Sequence, residues 1–110
     1  MRVIAVSTLR EFWEQSAHRD AEQPLKAWVA EVNEAQWESP SDIKALFGNA
    51  SILKAGRVVF NIKGNDYRLV AAVSYKFKIV FVKFVGTHRA YDKIDAQSIE
   101  LPDGTNRLGK

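Results

Sequence analysis

The chain has 110 residues, of which 46% are hydrophobic and 26% charged, with a net charge of +3 and no cysteine. That length supports one domain with one modest core, and the missing cysteines exclude disulfides and thiolate chemistry. No apolar run is long enough to cross a bilayer and no apolar signal core opens the chain, so a soluble, cytoplasmic protein with no membrane partner is expected.

In chain order, Val3-Ile4-Ala5-Val6 is a short strand candidate. Thr8 followed by Glu11 has capping-box spacing and predicts a helix start, with Leu9, Phe12 and Trp13 on its apolar face. His18, flanked by polar residues, reads as a plain surface residue. A second helix opens near Pro24, a residue suited to a first turn, and carries the stripe Leu25, Trp28, Val29 and Val32. Ser39-Pro40-Ser41-Asp42 caps a third, short helix that buries Ile43, Leu46 and Phe47 and stops at Gly48-Asn49.

From Ile52 the apolar period changes from 3.6 to 2. A possible short strand, Ile52-Leu53-Lys54, turns at Ala55-Gly56. Three strands follow, Arg57 to Ile62, Tyr67 to Tyr75 and Ile79 to Val85, with a turn at Lys76-Phe77-Lys78. Gly64-Asn65 is a two-residue hairpin signal, because both residues tolerate positive φ. Closing it pairs Phe60 with Leu69, Asn61 with Arg68, and Ile62 with Tyr67. Phe60, Ile62, Tyr67 and Leu69 then share one face, and Asn61 and Arg68 share the other. In the last strand the wholly apolar set Val80, Val82 and Phe84 is assigned to the helix-packed face, and Lys83 to the opposite one. Thr87 caps a short helix bearing His88 and Tyr91 three residues apart, with Asp92 four from His88.

The layout is an α+β domain of two layers, with N-terminal helices packed on one face of a mostly antiparallel sheet of three to five strands. The domain spans 1–95, and 96–110 is a loosely ordered tail. The second sheet face is left open. Residues 1–50 carry five Lys/Arg and eight Asp/Glu, whereas Ser51 to Lys93 carries nine basic and two acidic residues. A basic sheet half beside an acidic helical half points to a polyanion partner.

Two histidines 70 positions apart, no cysteine and no clustered carboxylates form no metal ligand set. A P-loop and a serine-nucleophile motif are absent as well. Phosphodiester chemistry without metal or cofactor remains: RNA cleaved by its own 2′-hydroxyl needs a base, an acid and cations for the growing phosphoryl charge. Arg68 suits the last role, since a guanidinium binds phosphate bidentately and stays charged. His88, the one histidine of the sheet half, can move a proton. Tyr91 can assist or stack on a base, Lys83 can share the phosphoryl charge with Arg68, and Arg57, Lys63, Asn61 and Asn65 can hold the strand. Two other classes use the same features. A non-catalytic RNA- or ribosome-binding module would use the basic face, and an interaction protein would use the acidic helices.

Phe60-Asn61-Ile62-Lys63-Gly64-Asn65-Asp66-Tyr67-Arg68-Leu69-Val70 resembles the strand–turn–strand of the HigB toxins, in the RelE-like group of bacterial type II toxin–antitoxin systems. Phe84 to Ile94 resembles the family's terminal Thr-His-x-x-Tyr-Asp segment, at matching separation. The resemblance implies a RelE-like fold and a ribosome-dependent mRNA endonuclease that cuts in the ribosomal decoding site without a metal. It also implies neutralisation by a HigA-type helix-turn-helix antitoxin, with operator DNA reached only through that antitoxin. Asn61, Gly64, Asn65, Arg68, Thr87, His88, Tyr91 and Asp92 sit on the family's motif positions, and Lys63 stands where some relatives have glycine.

Overall fold

A computed structural model describes residues 1–101. Its elements run β1 (Arg2–Ile4), α1 (Val6–Trp13), a 3-10 helix (Ser16–Ala21), α2 (Glu22–Glu34), α3 (Pro40–Leu46), β2 (Ser51–Ile52), β3 (Arg57–Ile62), β4 (Tyr67–Ser74), β5 (Ile79–Thr87) and α4 (His88–Tyr91). The five strands form one sheet in the order β1-β5-β4-β3-β2. Only β1 on β5 is parallel; the other three pairings are antiparallel. This is the expected mostly antiparallel α+β architecture.

α1 starts two residues before Thr8. Ala5 is its N-cap, without a side-chain cap, and the Thr8 N–H donates to the Ala5 carbonyl, so the Thr8–Glu11 capping box does not form. Pro24 falls in the first turn of α2, which the 3-10 helix enters directly. Ser39 precedes Pro40 at the start of α3 as expected, but only Ile43 of that helix is buried. Leu46 is 46% exposed, because α3 is only two turns long and presents a single face to the sheet.

The helix-side core follows strand alternation. Val58, Phe60 and Ile62 of β3, Tyr67, Leu69, Ala71 and Val73 of β4, and Val80 and Val82 of β5 meet Leu9, Phe12, Leu25, Trp28, Val32 and Ile43. Phe60 is the centre: its ring lies 5.2 Å from both Trp28 and Phe47, edge on, and 6.3 Å from Trp37, stacked. Such contacts add to area burial.

β5 does not keep its alternation. Val70 pairs with Phe84 and Ala71 with Val82, which leaves Lys83 as the extra residue of a β-bulge. Past the bulge the faces exchange. Val85 packs on the helix side, and Phe84 joins Val59 and Val70 on the second face. The assignment of Phe84 to the helix face is therefore corrected. Lys83 itself does reach the second face.

That face is not wholly open. Ala96 is buried on it, with Tyr91, Ile94 and Ile99 packed alongside. Of the stretch expected as a tail, Ala96 and Ile99 pack on the sheet; 102–110 lie outside the described residues.

Replacing Phe60 with Ala should cost about 3–5 kcal/mol in urea unfolding, the range for emptying a buried aromatic site. Phe77, 68% exposed in the β4–β5 turn, should change stability by less than about 0.5 kcal/mol on the same substitution.

Candidate functional site at the hairpin tip

The β3–β4 register is the expected one: Phe60 faces Leu69, Asn61 faces Arg68 and Ile62 faces Tyr67. The turn between them differs in detail. Residues 63–66 form a four-residue loop closed by the Asp66 N–H on the Lys63 carbonyl at 3.2 Å. Positive φ falls on Lys63 (53°) and Gly64 (64°), not on Gly64 and Asn65. A non-glycine residue in this region costs roughly 1 kcal/mol or more. The Lys63 ammonium meets Asp66 at 3.0 Å and Asp20 at 3.4 Å, which holds the lysine in place there.

The turn leaves Asn65 free to hold Arg68. The guanidinium donates through Nη2 to Asn65 Oδ1 at 2.5 Å, and through Nη1 to the carbonyls of Asn65 and Tyr67, each at 3.3 Å. Arg68 is half-buried, and its Cζ lies 6.0 Å from the centroid of the Tyr91 ring, at the outer range of a cation–π contact. Asn61 is exposed beside it and borders a hollow of about 180 Å³ with Phe47, Gly48, Asn49 and Gly64.

α4 is tied to this tip by backbone. The His88 N–H donates to the Asp66 carbonyl at 3.1 Å, and Thr87 caps the helix by accepting from the Ala90 N–H at 3.1 Å. Gly86 stands opposite Arg68 in the ladder. A Cβ there would come within 2.6 Å of the Phe84 ring, so the glycine lets that ring lie across the strand. Within α4, Tyr91 is the residue that reaches Arg68. The His88 imidazole, largely exposed, lies 3.8 Å from Asp92, and no hydrogen bond joins it to Arg68 among the described residues. The structure therefore brings together Arg68, Asn61, Asn65 and Tyr91, with His88 adjacent on the same anchored helix.

Arg57 and Lys83 are not part of this cluster. They converge on Glu100: Arg57 Nη2 meets one carboxylate oxygen at 2.5 Å and Lys83 Nζ the other at 2.7 Å. Arg57 Nη1 also donates to the carbonyls of Ile99 at 2.6 Å and Ala96 at 3.4 Å. The Lys83 hydrogen bond above all, opposed by burial and helped by both cations, holds the Glu100 carboxyl below its ordinary range. Sequence reading missed Glu100. Its only signal was the apolar spacing of Ile94, Ala96 and Ile99 just before it.

Asp20 was missed as well. It accepts a hydrogen bond from the Tyr67 hydroxyl and so ties the 3-10 helix to the hairpin. That bond is the main cause lowering the Asp20 carboxyl. Burial first, then Asp20, pushes the Tyr67 phenol up to about 12. His18 is no plain surface residue: its ring stacks on Phe12 at 4.3 Å and stands edge-on to Tyr67 at 5.9 Å.

Comparison with known proteins adds an independent line. The sequence profile of the HigB toxin family, described as the RelE-like toxic component of a toxin–antitoxin system, matches residues 21–94. The chain is similar to "mRNA interferase toxin HigB" of Escherichia coli (strain K12), with 28% identity over 94 residues that cover 84% of this chain and 88% of that protein. Proteins named "mRNA interferase HigB" from Escherichia coli O157:H7 and Shigella flexneri match at the same identity and coverage.

Burial of the Tyr67 phenol, joined by its bond to Asp20, sets a pH signature. A phenol raised from 10.0 to about 12 by folding contributes stability that is complete below pH 10 and is lost as pH rises through 12. Tyr67→Phe should therefore remove the latest tyrosinate transition in an absorbance titration and flatten the alkaline fall of stability. At neutral pH it should cost about 1 kcal/mol, the worth of one hydrogen bond.

Proposed function

Because the chain belongs to the HigB toxin family, the RelE-like toxic components of toxin–antitoxin systems, we propose that it is an mRNA endonuclease that acts on translated message at the ribosome. The carrying observation is the half-buried Arg68 guanidinium at the hairpin tip, oriented by Asn65 and overlaid by Tyr91. In this reading an RNA strand lies along the tip. The 2′-oxygen attacks phosphorus, the bond to the 5′-oxygen breaks, and a 2′,3′-cyclic phosphate remains. One proton leaves the 2′-hydroxyl and one reaches the 5′-oxygen.

Arg68 stabilises the charge that grows on the phosphoryl oxygens. Two of its donors are already fixed toward the loop, so the guanidinium needs little reorganisation. His88 moves a proton, with the Asp92 carboxylate 3.8 Å from its Nδ1. Tyr91 stacks on a base, and Asn61 and Asn65 position the strand with hydrogen bonds. Lys63 acts through the loop, since its ammonium is shared by Asp66 and Asp20. Neutralisation falls to an antitoxin of the HigA helix-turn-helix type. No helix among the described residues is long and apolar enough to cross a membrane, and the reading assigns action in the cytoplasm.

Expression of the chain should arrest growth. Arg68→Ala and His88→Ala should each relieve the arrest while leaving the fold intact by circular dichroism. Each should lower cleavage of a translated message about a hundredfold or more, as expected from about 2.7–4 kcal/mol per transition-state contact. Full toxicity in both variants would remove these residues from the mechanism. A protein that binds ribosomes yet never cuts would instead be the non-catalytic module.

A further inference from the structure

The second basic centre is built differently from the hairpin tip. Arg57 is a cation only 7% exposed. Its Nη1 donates to the Ala96 and Ile99 carbonyls and its Nη2 to the Glu100 carboxylate. Lys83, brought to the same place by the bulge, has 19% of its side chain exposed, and Glu100 has 46%. One carboxylate thus bridges two cations, with one oxygen to each, and leaves the centre net positive.

A carboxylate bridging a guanidinium and an ammonium presents the same acceptor pattern as two non-bridging oxygens of a phosphodiester, and both anions suit the fork of arginine. The bridging anion comes from the chain itself. It sits on a segment whose other holds on the sheet are the Arg57 bonds to the Ala96 and Ile99 carbonyls and the packing of Ile94, Ala96 and Ile99 near Val59, Val70 and Phe84. Arg57 lies four residues along β3 from Asn61, about 13 Å at ~3.3 Å per residue, within reach of one bound RNA strand. We propose that Arg57 and Lys83 form a phosphate-binding site that the chain's own Glu100 occupies, so that an RNA phosphodiester and Glu100 compete for the same two cations. The proposal rests on single-stranded RNA being the substrate. It makes residues 95–101 a built-in competitor that lowers affinity for RNA and that a longer or better-placed strand displaces.

The test is titration of the full chain with a single-stranded 2′-O-methyl oligonucleotide, which lacks the attacking hydroxyl and reads binding apart from cleavage. Glu100→Gln should bind roughly tenfold tighter than the native protein, and its log-affinity against log-salt slope should steepen by about 0.7–1.4, the release expected for one or two more phosphates. Adding Lys83→Ala to Glu100→Gln should abolish the gain. Equal or weaker binding by Glu100→Gln, a gain that survives Lys83→Ala, or no binding by either protein would overturn the proposal. Glu100→Gln also loosens a structural contact, so the native protein supplies a second measurement. The Ser98 and Ile99 amides are bonded to the Asp95 carbonyl, and their hydrogen exchange should speed up when the oligonucleotide saturates the protein; unchanged or slower exchange counts against displacement. Neither readout depends on cleavage. Failure here leaves the nuclease reading standing, and a protein inactive on translated message leaves this result standing.

Discussion

The register of the β3–β4 hairpin is the constraint on which the rest depends. Side chains alternate with a period of two, so a slip of one residue would exchange the faces of both strands. Phe60, Ile62, Tyr67 and Leu69 would leave the helices, and Arg68 would enter the core as an unpaired charge, at a cost of several kcal/mol. Three contacts hold the observed register. The 63–66 loop closes on itself through Lys63 and Asp66, Phe60 is locked among Trp28, Trp37 and Phe47, and the Tyr67 hydroxyl is fastened to Asp20. Given that register, Arg68 must stand on the second face opposite Gly86, and α4 must begin where its first N–H meets the loop at Asp66.

The bulge at Lys83 is the second determinant, because it divides the cations into two centres. Without it Phe84 would face the helices. With it, Lys83 and Phe84 both serve the second face, and Phe84 completes an apolar ledge with Val59 and Val70. That ledge is what Ala96 and Ile99 pack upon. The segment so seated brings Glu100 to Arg57 and Lys83 and stays away from Arg68. One face therefore carries an accessible arginine at the tip and a self-neutralised pair further along the strands.

What the sequence made legible follows from the range of the forces involved. Alternation over Arg57 to Ile62 and Tyr67 to Ser74, bounded by turn residues, is a local signal, and it located the hairpin, its register and the shared face of Asn61 and Arg68. Ile79 to Val85 is apolar on both faces apart from Lys83, so its period carried no mark of the bulge. Thr8 and Glu11 have capping spacing, yet packing of Leu9, Phe12 and Trp13 starts the helix at Val6. Positive φ moved to Lys63 because the loop is four residues long and its lysine has two carboxylate partners. Glu100 and Asp20 act across 43 and 47 positions of sequence on Arg57 and Tyr67, a distance over which no local pattern speaks. For the same reason the sequence grouped Arg57 and Lys83 with Arg68, Asn61, Asn65 and Tyr91, whereas the fold places those two cations apart on Glu100.

The proposed function makes one chemical claim, that RNA is cut by its own 2′-hydroxyl next to Arg68. The most direct measurement is the chemical identity of the ends left on a translated message after incubation with ribosomes and the purified protein. The account predicts fragments ending in 2′,3′-cyclic phosphate on one side and 5′-hydroxyl on the other, absent when translation is blocked. Fragments with 5′-phosphate ends, or equal cleavage of untranslated RNA, would contradict it.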